Sequence, residues 1–147
     1  MELSESEKYE RQVLQTLSEF QTIEFSLKLY ISAVYKIIKS KLDGRISFDY
    51  GYKDVENHPL EKLLALFKKH NSNVHLQKRL GKLVSGRNVV AHKALIFSHP
   101  EVRDILGGEL SEHHESVSSM AGELNECLKL LAVELELVMN LVPNENA

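Results

Sequence analysis

The sequence predicts an all-α fold: a four-helix up-and-down bundle with a short aromatic insert, about residues 45–57, after the first helix. Residues 6–41 contain neither glycine nor proline and carry apolar side chains in steps of three and four. A second long stripe of the same period runs from Leu124 to Leu141. Strand-like alternation of apolar and polar residues is confined to Arg45–Lys53. At 147 residues the chain predicts one domain, 1–147, large enough to bury its own core.

The first helix spans Ser6 to about Lys41. Its stripe is Val13, Leu17, Phe20, Leu27, Ile31, Val34 and Ile38, with one apolar step skipped at Glu24. Gly44 is expected to stop it. The insert that follows, with Phe48, Tyr50 and Tyr52, fits a short hairpin or an ordered loop against the bundle. Asn57-His58-Pro59 marks the next start, with Pro59 expected at the first helical position. Leu60, Leu63, Leu64 and Phe67 form the buried face of this second helix. The third opens near Asn73 as N-cap and buries Leu76, Leu80, Leu83, Val84, Val90, Ala91, Ala94 and Leu95. Ser85-Gly86 interrupts it, as a tolerated glycine or a kink. His99-Pro100 and Gly107-Gly108 bracket a loop or short helical turn. The last helix is expected from Ser111 to Pro143, with Leu124, Leu128, Leu131, Leu135, Val138 and Leu141 inward.

Hydrophobic residues make up 43% and charged residues 27%, which excludes a disordered or collagen-like chain. Cys127 is the only cysteine, so no internal disulfide and no multi-cysteine zinc site can form. Set on an apolar helical face, it reads as a small core residue. The acidic start Met1-Glu2-Leu3-Ser4-Glu5 lacks a secretory signal, and no apolar run approaches the ~18 residues of a membrane span. A cytoplasmic location without membrane association is the expectation. The histidines follow no metal-ligand spacing, and there is no Gly-rich phosphate loop, so neither metal nor cofactor is expected.

The net charge of −3 conceals a division. Residues 59–94 carry eight basic side chains and one acidic, +7, whereas residues 109–147 carry one basic and eight acidic, −7. The basic residues fit either a solvated face or an RNA-contacting one. Those nearest the motif below, Arg79, Lys82 and Lys93, are the candidate RNA contacts.

That motif is Arg87-Asn88-Val89-Val90-Ala91-His92. In a continuous helix Asn88 and His92 lie one turn apart on one edge. Arg87 falls within the apolar stripe, between Leu83 and Val90. A guanidinium there needs an acidic partner, an opening or a facing subunit. Glu24 is one candidate partner, although Glu24 and Lys28 also form a plain i,i+4 surface pair.

The run Leu83–His92, on the third main helix of a small four-helix protein, resembles the HEPN superfamily. The hallmark of that family is Arg-x4–6-His, commonly with a polar residue after the arginine, as Asn88 is here. The resemblance implies a metal-independent endoribonuclease, dimeric, of toxin–antitoxin, abortive-infection or RNA-processing systems, with RNA as substrate and a possible antitoxin protein as partner. In that chemistry the RNA 2′-hydroxyl is the nucleophile. His92 would shuttle the proton, Arg87 would hold the phosphorane charge, and Asn88 would orient His92 or donate to a phosphate. The HepT-type toxins of the family carry a tyrosine two residues after the histidine, the site of adenylylation. Ala94 stands there, so regulation by that modification is not expected. The alternative is a non-catalytic HEPN-like dimer serving as a protein-interaction or nucleotide-binding module.

Overall fold

The computed structural model describes residues 2–92 and 94–144; the side chain of His92 lies outside the described part. Five α-helices appear in order: α1 (Glu5–Lys41), α2 (Leu60–His70), α3 (Val74–His92), α4 (Pro100–Leu106) and α5 (Leu110–Met139). Two 3-10 turns, Tyr52–Asp54 and Ala94–Ser98, lie between them, and no strand occurs among the described residues.

The long helix α1 begins with a capping box. The Glu7 backbone N–H donates to Ser4 Oγ at 3.2 Å, and the Ser4 N–H donates to the Glu7 carboxylate at 3.0 Å. Two otherwise orphaned amides are thereby satisfied. At its far end α1 stops at Lys41, because Leu42 turns extended (ψ 150°) before Gly44 is reached. The helix packs along α5 and also against α2 and α3, and α3 packs on α5 and α2. Tyr9, Val13, Phe20, Ile23, Leu27 and Ile31 of α1 are fully buried with Leu63, Phe67, Leu76, Leu124, Cys127 and Leu131. Each large apolar side chain so buried contributes roughly 1.5–3 kcal/mol.

Several boundaries differ from the expectation. Pro59 is the N-cap of α2, not its first helical residue: its ψ of 164° is extended, and its carbonyl accepts from the Leu63 N–H at 3.0 Å. The span after His99 is a helix, α4, with Pro100 at its start. The last helix begins one residue early, at Leu110, where the Glu109 N–H donates to the Glu112 carboxylate at 3.5 Å. It ends at Met139, so Leu141 lies beyond it and is 68% exposed instead of buried. Leu95 likewise leaves the α3 stripe, standing partly exposed in the Ala94–Ser98 turn.

The insert is an ordered loop. Its acidic side chains take backbone amides that a hairpin ladder would use: Asp43 accepts from the Arg45 N–H at 2.9 Å and Asp54 from the Gly51 N–H at 2.7 Å. Val55 is buried, and Phe48 packs edge-on against Tyr35 of α1 with centroids 6.0 Å apart.

The α2–α3 connection is held by a polar knot. Asn71 Nδ2 donates to Tyr30 Oη at 3.0 Å and to Glu134 at 3.2 Å, and Asn73 Nδ2 donates to Glu134 at 2.7 Å. Asn73 Oδ1 also accepts from the Leu76 N–H at 3.1 Å, the expected N-cap bond of α3. Helix α3 therefore starts from a point fixed to both α1 and α5.

Candidate functional site

From that anchored start α3 runs unbroken through Ser85 and Gly86 to His92. The glycine is tolerated, and its missing side chain leaves room for Met120 of α5, whose methyl would stand 2.6 Å from a Cβ there. With the helix continuous, Arg87 sits between buried Leu83 and Val90, as its register requires. Its side chain is 35% exposed.

The partner is Glu24, the residue that breaks the apolar stripe of α1. Arg87 Nε lies 3.2 Å from Glu24 Oε1, and the Glu24 side chain is only 18% exposed. Oε1 is buried and has no aligned hydrogen-bond donor, so the contact is an ion pair with imperfect geometry. The guanidinium forms no hydrogen bond among the described residues. Glu24 thus holds one side of a five-donor fork, whose remaining donors have no hydrogen-bond partner among the described residues. Lys28 forms no ion pair with Glu24.

Asn88, one residue on, is exposed. The His92 backbone is the last residue of α3, four positions or about 6 Å along the axis from Asn88. Backbone register thus brings Arg87, Asn88 and His92 to one end of α3, and how the His92 imidazole is aimed lies outside the described side chains.

The segment after the motif is clamped from two sides by residues that sequence reasoning gave no role. Tyr9 Oη of α1 donates to the Ala94 carbonyl at 2.5 Å, and burial pushes this phenol above its ordinary pKa. His113 of α5 stacks on Phe97 with ring centroids 3.9 Å apart and planes 9° apart. Its neighbour His114 meets Tyr9 edge-on at 6.1 Å. The adjacent histidines are structural contacts of the turn that follows His92. Their signal in the sequence was the pair itself, which fitted no metal spacing and was left without a use.

The three candidate RNA contacts separate. Arg79 is engaged within the chain: its Nε and Nη2 donate to the two oxygens of Glu123 on α5 at 2.7 and 2.9 Å. The fork fits a carboxylate bidentately, holding Glu123 below the usual carboxylate range and Arg79 above its ordinary value. Here the acidic last helix meets the basic middle. Lys82, one turn along, is exposed and forms no ion pair among the described residues, though its charge also helps hold Glu123 below the usual carboxylate range. Lys93 lies outside the described residues.

Among the described residues no cluster of histidine, cysteine or carboxylate side chains could hold a metal. No described helix is long and apolar enough to cross a membrane. Cys127 is fully buried, and burial, with Glu123 beside it, pushes the thiol up to about 11. No protein family, curated protein or solved structure matches the chain.

Proposed function

We propose that the chain is a metal-independent endoribonuclease of HEPN type. Its catalytic residues are Arg87, His92 and Asn88, carried on a four-helix up-and-down bundle of α1, α2, α3 and α5. The single observation that carries this reading is the state of Arg87. It occupies a core-facing position of α3, is anchored on one side by Glu24, and keeps donors free at a surface where Asn88 is exposed. A guanidinium so placed suits the oxygens of a phosphodiester. His92 at the same helix end supplies an imidazole, the side chain suited to shuttling the proton. Lys82, five residues before Arg87 on the same helix, is exposed and adds a cation for the strand.

The chain acts as a homodimer in this reading. Val89, between Asn88 and Val90, is 49% exposed, and Leu95 and Ile96 just beyond the motif are 39% and 40% exposed. Apolar side chains around a polar site suit cover by a second copy, which would bring two histidines together as base and acid. A toxin–antitoxin or phage-defence role, with an antitoxin as partner, follows from the same resemblance.

The second reading is a non-catalytic helical dimer for protein interaction or nucleotide binding. The Arg87–Glu24 pair favours it in one respect, because an arginine matched to a carboxylate also serves as a tie between helices. Incubation of RNA with the purified protein in EDTA, followed by analysis of product ends, separates the two. The ribonuclease reading expects 2′,3′-cyclic phosphate and 5′-hydroxyl ends. No cleavage of any RNA tested would leave the interaction module.

A further inference from the structure

A cleft lies at the far end of α1, built from residues that the motif does not use. It has a volume of about 540 Å³ and opens between Lys36 and Lys39 of α1, Tyr50 and Tyr52 of the insert, and Val142 and Pro143 after α5. That volume is within the range of small-molecule sites.

Its aromatic wall is already ordered. Tyr50 packs on Phe48 with centroids 5.0 Å apart and on Tyr35 at 5.8 Å, and Tyr35 also meets His70 at 5.8 Å. Phe48 and Val55 account for the sealing of the bundle, yet Tyr50, held by the same cluster, remains 57% exposed. A fixed and exposed ring offers a stacking face at little further cost in side-chain ordering.

Its cationic wall forms no ion pair among the described residues. Asp43 pairs with Arg45 at 3.0 Å, Asp49 pairs with Lys53 at 3.0 Å, and Asp54 accepts from the Gly51 N–H at 2.7 Å, while the exposed Glu56 forms no ion pair with either lysine. Lys36 and Lys39, three residues apart on one face of α1, form no ion pair among the described residues. The helix dipole favours a cation in the last turn, where Lys39 stands. Lys36 lies a turn earlier and has no ion-pair partner among the described residues.

A fixed aromatic face, an apolar side and two ammonium groups without an ion pair among the described residues converge on one cleft. We propose that this cleft binds a nucleobase carrying a phosphate, with the base on Tyr50 and the phosphate between Lys36 and Lys39. The ligand is either a free nucleotide or one residue of a single strand. The site shares no residue with the Arg87–His92 motif, so it stands or falls separately from cleavage.

The test uses the full chain with His92→Ala, which leaves a strand uncut, and two probes: AMP by calorimetry and fluorescein-labelled hexa-adenylate RNA by anisotropy. Tyr50→Ala is expected to weaken binding by about tenfold, whereas Tyr50→Phe retains it. Lys36→Ala with Lys39→Ala is expected to lower the salt slope of strand binding by about 1.4. Comparable affinity for AMP and hexa-adenylate identifies a free-nucleotide site, and markedly tighter strand binding identifies a strand subsite. Binding of neither probe overturns the proposal, as does binding that Tyr50→Ala and the double lysine substitution leave unchanged while melting temperature and helical circular dichroism are preserved. Cleavage by the unsubstituted chain without this dependence sinks the cleft alone. The dependence without any cleavage sinks the ribonuclease reading alone.

Discussion

Glu24 Oε1 on α1 stands 3.2 Å from Arg87 Nε on α3, joining the one gap in the apolar stripe of α1 to the one cation in the stripe of α3. Each residue would be costly in its position without the other. With both present, α1 holds the arginine of the motif in place, and its outer donors have no partner among the described residues. The pair therefore ties α1 to α3 at the position of the motif.

Its contribution to stability can be measured by a double-mutant cycle in urea. Arg87→Ala strands a mostly buried carboxylate and should cost about 1–3 kcal/mol. Glu24→Gln should cost less, because the partly exposed guanidinium can turn to water. The double substitution should fall short of the two single costs by about 0.5–1 kcal/mol, the coupling of a partly screened pair. Strict additivity would show that the contact carries no energy.

Acid should loosen the α3–α5 contact. Arg79 lowers the Glu123 pKa in the folded state below its ordinary 4.5. A carboxyl lowered on folding contributes stability that is fully present above its unfolded value and is lost as pH falls through its folded value. Unfolding midpoints should thus fall as pH drops below about 4.5, and Glu123→Gln should flatten that decline. An unchanged profile in Glu123→Gln would assign the decline to other carboxylates.

Gly108 is required by backbone and neighbour alike. Its φ is +90°, and a Cβ there would stand 2.6 Å from His113 Nε2, an atom buried with no hydrogen-bond partner. Gly108→Ala should destabilise the chain by about 1–3 kcal/mol. Gly44→Ala, with open space around it and no positive φ, should change stability little. Thermal unfolding of the two variants checks the contrast.

Much of this could be read from the chain. Helical period alone placed Phe20, Leu27, Ile31, Leu124 and Leu131 in the core, and the break at Glu24 marked a residue with a special partner. Cys127 was readable as a core residue for the same reason. The pairing of Arg79 with Glu123 was not, because it depends on the register of α3 against α5, which no local pattern encodes. The expectation of Leu141 inside failed because period continues on paper after Met139, where the backbone no longer does. The Ser4–Glu7 capping box was present as Ser-x-x-Glu, yet the apolar stripe drew the start to Ser6. Tyr9 and the His113–Phe97 stack are long-range contacts, and their partners lie 85 and 16 residues away.

Cys127 should be inert in the folded protein. A thiol pushed up to about 11 and fully buried presents almost no accessible thiolate at neutral pH. Labelling by a thiol-reactive disulfide reagent should proceed only at the rate of unfolding and become immediate in denaturant. Fast labelling of the native chain would contradict the packing of α5 described above.

The most direct test of the central claim is the rate of RNA cleavage in EDTA, compared between the unsubstituted chain and Arg87→Ala, Asn88→Ala and His92→Ala. Folding of each variant is to be verified by circular dichroism. The account predicts cleavage without metal, a loss of at least about 100-fold in Arg87→Ala and His92→Ala, and a smaller loss in Asn88→Ala. Cleavage that persists at full rate in folded Arg87→Ala and His92→Ala, or no cleavage by the unsubstituted protein, would contradict it.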